Sequence, residues 1–179
     1  MQIGGGITDQ NASGYLEAGA SHVIVTSFVF QNGRLNRENL KKLCDAVGKE
    51  RIVPGFKLPQ KGRRILYRDR PLADIYRREI EVKRCWMNLP DIAVMFLVHG
   101  VDVEGKASGV EEELVRLLGR WGKIPVTYAG GIGTLEELEH FQNLCKGRLD
   151  FTIGSALDLF GGNIPYERAA TISRKGTRM

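Results

Sequence analysis

The sequence predicts an α/β fold built from repeated strand–turn–helix units. Three observations carry this expectation. The stretch from Val126 to Asn163 alternates an apolar run, a glycine turn, an amphipathic run and a second apolar run that ends in Gly154-Ser155. The triplet Gly-Gly-Ile occurs at residues 5–7 and again at 130–132, and a strand ending in serine follows each copy, at Ser27 and Ser155. From glycine pair to serine is 22 residues in the first copy and 25 in the second, a spacing at which one supersecondary unit is repeated. The third observation is length. The chain has 179 residues, 42% of them hydrophobic, ample for one core and one domain. A closed eight-unit βα barrel takes about 250 residues, so at about 30 residues per unit this chain is short by about two units.

The elements follow in order. Residues 2–6 end a strand and open a glycine turn. Asp9 or Asn11 caps a helix carrying Tyr15 and Leu16, which Gly19 ends. Val23 to Val25 reads as a buried strand, with Thr26 and Ser27 at its carboxyl end. Leu40, Leu43, Cys44 and Val47 share one face of a helix that stops at Gly48. Ile52 and Val53 start another strand, and there the pattern breaks. Pro54, Gly55 and Pro59 interrupt it, and regular patterning returns at Phe96 to His99. Ser108 and Glu111 make a capping box before a helix lined by Leu114, Leu117, Leu118 and Trp121. Val126 to Tyr128 is a strand, and Gly130, Gly131 and Gly133 turn the chain. Thr134 and Glu137 then form a second capping box, opening a helix whose inner face carries Leu135, Leu138, Phe141, Gln142 and Cys145. Phe151 to Ile153 is the last strand, with a helix expected to begin at Gly154-Ser155. The basic tail from Arg168 onward reads as frayed.

Charge is unevenly placed. The chain carries 26 Lys and Arg against 21 Asp and Glu, a net +5. Residues 54–95 hold ten of the basic and five of the acidic groups, so the rest of the chain sums to zero. No nucleic-acid recognition motif accompanies this basic stretch, and a segment outside the fold explains it better than a nucleic-acid partner. No signal or transit peptide and no apolar run of membrane length is read in the sequence. Cys44, Cys85 and Cys145 have no metal-ligand spacing, and Cys44 and Cys145 fall on helical core faces as reduced thiols. His99 ends a strand and reads as a satisfied core residue rather than a base. His22 and His140 read as surface or helix-end residues.

Glycine turns at the carboxyl ends of strands expose backbone N–H groups, and paired with helix N-termini they suit a phosphate. The candidates are Gly5 and Gly6 with Thr26 and Ser27, and Gly130 and Gly131 with Gly154 and Ser155. Two such pairs suit a small-molecule substrate with a phosphate at each end. Plain turn glycines remain the alternative reading.

The strings QIGGGI, GASHVIVTS, FLVHGVDVEG, VTYAGGI and TIGSALDLFGGN together resemble the phosphoribosylformimino-5-aminoimidazole carboxamide ribotide isomerases of histidine biosynthesis, in their plant and other eukaryotic form. The resemblance covers residues 1–53 and 96–166. It implies a (βα)8 TIM barrel of the histidine-biosynthesis type, incomplete, with its first two βα units missing, as a single domain over 1–179 from which 54–95 departs. It implies an Amadori rearrangement of an aminoaldose to an aminoketose by acid–base catalysis, with no metal or organic cofactor and no nucleic-acid or membrane partner. The implied compartment is cytoplasmic, or the chloroplast in a plant. By position, the glycine pairs match the turns after strands three and seven, Thr26 and Ser27 the end of strand four, and Gly154 and Ser155 the end of strand eight.

The resemblance places catalytic aspartates at the ends of the first and fifth strands. The first strand is absent here, and the fifth should read Leu-Asp-Leu-Ser-Cys-Arg-Lys where this chain has Pro54 to Lys61. Asp102 and Glu104, past strand six, match an auxiliary acid or cap their loop. Codons exist for Pro54 to Lys61 that, moved by one nucleotide, encode the expected strand, and a string for Arg68 to Ala73 behaves the same way; a reading-frame slip accounts for both. Competing readings are a phosphosugar-binding remnant without catalysis and the cyclase subunit of imidazole glycerol phosphate synthase, which also has twofold-repeated phosphate turns.

Overall fold

A computed structural model describes residues 1–31, 34–58, 93–100 and 109–176. These residues fall into two compact units, the first of residues up to Pro54 with 93–95, the second of Gly55–Leu58 with Phe96 onward.

In the first unit, β1 (Gln2–Gly4) leads through the first glycine pair to α1 (Ala12–Glu17) and then β2 (His22–Val25). β1 and β2 are parallel, with Ile3 opposite Val23 and Gly4 opposite Ile24. β2 pairs in the same sense with the first residues of β5 (Ile52–Leu58), placing Val25 opposite Pro54. Ile7, Ala12, Val23, Val25, Val29, Leu40, Leu43 and Ile52 are buried together. Parallel strands need such cover, because helices crossing between them shield their side chains from water. The second helix, α2 (Arg37–Val47), is capped by Asn36, whose side chain accepts from the Asn39 N–H at 3.1 Å. Leu40 and Leu43 of α2 are buried, while Cys44 is only half-buried; burial raises its thiol pKa. A small antiparallel hairpin, β3 (Phe30–Gln31) and β4 (Arg34–Leu35), stands between β2 and α2. It was not anticipated above, although Asn-Gly at 32–33 between its strands is the strongest short-range hairpin signal a sequence offers.

In the second unit, residues 55–58 of β5 pair parallel with β6 (Phe96–Gly100), β6 with β7 (Val126–Ala129) and β7 with β8 (Asp150–Thr152). Between them run α3 (Glu112–Trp121) and α4 (Leu135–Cys145), and α5 (Tyr166–Gly176) follows β8. The core is aromatic. Tyr128 stacks on Phe141 at 5.4 Å, Phe141 meets Phe151 edge-on, and Phe96 stands edge-on to both Phe56 and Trp121. Each such pair adds about 1 kcal/mol beyond its buried area. Helices α3 and α4 approach closely because Gly119 lacks a side chain: a Cβ there would lie 3.3 Å from the Cys145 backbone.

Several expectations need correction. Pro54 and Gly55 do not interrupt the strand, since β5 continues to Leu58. Residues 52–54 pair with β2 and 55–58 with β6, so the missing proline N–H falls where the ladder changes side. α3 begins at Glu112, with no side-chain cap on its N-cap residue Glu111. The Glu111 N–H instead donates to the Tyr128 hydroxyl at 3.0 Å, a cap supplied by the neighbouring strand. No α-helix begins at Ser155: a single 3-10 turn spans Asp158–Phe160 and α5 starts at Tyr166. The tail from Arg168 is helical as far as Gly176. His22 lies within β2 and is half-buried, its Nδ1 3.1 Å from the Ser21 hydroxyl.

Candidate phosphate-binding turns

Each glycine pair follows a strand, and the two have nearly the same backbone. Gly5 and Gly6 have φ of 115° and 64°; Gly130 and Gly131 have 112° and 75°. Residues with a Cβ rarely adopt these angles, so glycine is required for the conformation itself. A buried isoleucine follows each pair, Ile7 at 4% and Ile132 at 6% exposure, anchoring the turn to its core.

The serines are equivalent by register. Gly4 faces Ile24 across the β1–β2 ladder, and Ser27 comes three residues after Ile24. Ala129 faces Thr152 across the β7–β8 ladder, and Ser155 comes three residues after Thr152. Both serines are exposed, Thr26 is half-buried, and Gly154 is exposed. Two residues beyond each serine a buried apolar residue, Val29 or Leu157, pins the turn. The three extra residues of the second copy lie entirely on the helix side. The step from the glycine pair to the helix shortens by two residues and the helix lengthens by five, while the step from helix to strand is unchanged.

The helix N-termini contribute less than the sequence implied. At α4 the capping box is complete: the Thr134 hydroxyl accepts from Glu137 N–H at 3.1 Å, and the Glu137 carboxylate accepts from Thr134 N–H at 3.1 Å and Gly133 N–H at 2.6 Å. Those donors are taken, and the carboxylate among them opposes a second anion. At α1, which has only six residues, the Asn11 side chain does not cap the helix. It accepts from Thr8 N–H at 2.8 Å and donates to the Gly6 carbonyl at 3.0 Å. At either turn the donors left for an anion are therefore those of the glycine pair and the serine end, rather than a helix N-terminus.

Surroundings differ between the turns. A Cβ on Gly130 would lie 2.8 Å from the Gly100 carbonyl oxygen and 3.6 Å from the His99 ring, whereas one on Gly5 would meet nothing within 4 Å. His99, half-buried at the end of β6, thus flanks the second turn. Sequence reasoning missed Gly100 as the backing of that turn; its signal was its place directly after His99, opposite the glycine pair once strands are aligned. Asp102 and Glu104 lie outside the described residues, as do Cys85, the Ser108 end of the expected capping box, the Arg68–Ala73 string and nearly all of the basic stretch.

A family described as histidine biosynthesis protein matches residues 1–164. The chain belongs to the histidine biosynthesis protein family. It is 47% identical over 170 residues to a chloroplastic phosphoribosyl imidazole-4-carboxamide isomerase of Medicago truncatula, covering 93% of this chain and 53% of that protein. It is 39% identical over 168 residues to the corresponding isomerase of Neurospora crassa, covering 90% and 64%. The isomerase of Yarrowia lipolytica is 40% identical over 172 residues, covering 91% and 64%. The chain thus spans about half to two thirds of the length of these relatives. Both glycine turns and both serines fall inside the family match. Among the described residues no helix is long and apolar enough to cross a membrane.

Proposed function

We propose that this chain carries the phosphate-gripping part of a histidine-biosynthesis isomerase, on the strand–turn–helix units of a βα barrel. The parent reaction is the Amadori rearrangement of a phosphoribosylated aminoaldose to the aminoketose. A general acid opens the ribose ring and a base moves the C2 proton, with no metal or organic cofactor. The supporting observation is the register-matched duplication of glycine pair and serine. Each turn, taken by itself, suits one phosphate group of such a substrate. The cyclase subunit of imidazole glycerol phosphate synthase has no support among the three relatives named above, all of which are named isomerases.

A second reading has its own observation. Gly55 stands in β5 where the resemblance places the fifth-strand aspartate, and it is buried with no titratable group. The polypeptide as written then binds phosphosugar without turning it over, and a reading-frame slip across residues 54–95 produced it. An isomerase assay separates the two. A chain with Gly55 in place of the fifth-strand aspartate turns over about 10²–10⁴-fold more slowly than a full-length relative, while still binding ribose phosphate. Turnover within tenfold of such a relative sinks the remnant reading. Sequencing genomic DNA and transcript across codons 54–95 tests the slip; an unbroken frame encoding this sequence in both sinks it.

A further inference from the structure

The segment after Ser155 closes into a small loop. Ile164 N–H donates to the Ala156 carbonyl at 2.8 Å, Asp158 N–H to the Ile164 carbonyl at 2.9 Å, and Gly162 N–H to the Leu157 carbonyl at 2.8 Å. Leu157 and Ile164, both buried, form the stem of this closure. Gly162 packs against the backbone of Ala156, closest to the Ala156 carbonyl and next to the Ser155 carbonyl oxygen. A Cβ at that position would overlap the Ala156 carbonyl carbon and oxygen and stand 2.5 Å from the Ser155 carbonyl oxygen. All these atoms are backbone, so no rotamer change relieves the overlap; the backbone from the Ser155 carbonyl through the Ala156 carbonyl has to move. Its neighbour Gly161 is different. It has a φ of 84°, and a Cβ there would meet nothing within 4 Å.

We propose that Gly162 is a positioning residue for the second phosphate turn: its bare Cα leaves room for the Ala156 backbone and the Ser155 carbonyl, and so sets the Ser155 and Ala156 amides where an anion is received. This rests on the phosphate reading of Ser155. Gly161 serves the loop only through its backbone conformation, so the adjacent glycines have separable roles, one steric and aimed at the turn, the other conformational and confined to the loop.

The test titrates the full chain with inorganic phosphate, following backbone amide resonances, in wild type, Gly162→Ala and Gly161→Ala. In the wild type the Ser155 and Ala156 amides shift on addition of phosphate. In Gly162→Ala these two amides are displaced before phosphate is added, and phosphate binds at least tenfold more weakly. In Gly161→Ala the melting temperature falls, but the Ser155 amide and the phosphate affinity stay within twofold of wild type, an outcome that a merely structural role for Gly162 would not separate. Should Gly162→Ala not fold, Ile164→Val loosens the same closure more gently and weakens phosphate by twofold or more, without displacing the Gly131 amide in the free protein. Equal phosphate affinity in wild type and Gly162→Ala, or in wild type and Ile164→Val, overturns the positioning role alone, as does an equal loss in Gly161→Ala. A wild-type Ser155 amide that ignores phosphate overturns the phosphate reading and the positioning role together.

Discussion

The turn at Gly5-Gly6 and the turn at Gly130-Gly131 share a backbone but not an environment. Their φ angles agree within about ten degrees, and each is followed by a buried isoleucine. Yet the second is backed by the Gly100 carbonyl and flanked by His99, while the first has open space where a Cβ would go. Local sequence and strand register are enough to make the turn. Neighbouring strands then decide how much change it tolerates.

The largest contrast is in stability. Gly130→Ala combines a forbidden φ with a backbone overlap and should cost about 3 kcal/mol, whereas Gly5→Ala carries the φ strain alone, about 1 kcal/mol. Equilibrium denaturant unfolding of both variants checks this; equal losses would mean that packing around Gly130 adds nothing. Next comes anion binding. Gly131→Asp and Gly6→Asp each place a carboxylate where phosphate is to approach, and each should weaken phosphate at its own turn about a hundredfold, about 2.8 kcal/mol. Unchanged ribose-phosphate affinity by calorimetry in either variant removes that turn from the binding assignment.

Smaller effects separate the helix starts. Thr134→Ala breaks one half of a complete capping box and should cost about 1 kcal/mol. Asn11→Ala removes two loop bonds at the first turn at a similar cost of about 1 kcal/mol, with the loss showing as faster amide exchange at Thr8 rather than in α1. Tyr128→Phe keeps the stack on Phe141 and loses the bond to Glu111 N–H, about 1 kcal/mol at neutral pH. Burial pushes the Tyr128 phenol up to about 12, partly offset by that N–H. Its folded pKa is above the ordinary value of 10.0, so its contribution is complete below that value and is lost as pH rises through about 12. The phenylalanine variant should therefore show a flatter alkaline decline in melting temperature.

The smallest effect belongs to Glu112, whose carboxylate takes His140 Nε2 at 2.8 Å and Arg116 at 3.2 Å on the exposed faces of α4 and α3. Hydrogen bonds from His140 and then Arg116 hold its pKa below the ordinary 4.5. Its contribution is present above that value and is lost as pH falls below it. Glu112→Gln should match wild type in acid and differ slightly at neutral pH. A difference that persists in acid would place its cause elsewhere.

Legibility followed the range of the interactions. The second capping box could be read because Thr134 and Glu137 lie three residues apart and satisfy each other's backbone. The cap on α3 could not, because it is a tyrosine hydroxyl 17 residues away on another strand. The full length of β5 is not legible from propensity, which sets proline and glycine against a strand, because its pairing changes partner at Pro54, where a missing N–H is tolerated. The glycine pairs were legible as turns. That the helix-start donors of α4 are already occupied was not, since it depends on where the Glu137 carboxylate points. The loop that seats Gly162 on the Ala156 backbone was equally hidden, because a glycine's packing partner leaves no mark on its neighbours in sequence.

The unequal helices have a consequence for engineering. α1 and α4 differ by five residues, yet Ser27 and Ser155 keep the same register to the glycines that precede them. The hydrogen-bond ladder acts as a fixed gauge and the helical return as a spacer of adjustable length. Splicing a reporter peptide or an extra turn into the return path through α1 should leave the gauge untouched, whereas a one-residue insertion inside β2 would slip the ladder and turn Ser27 to the opposite face.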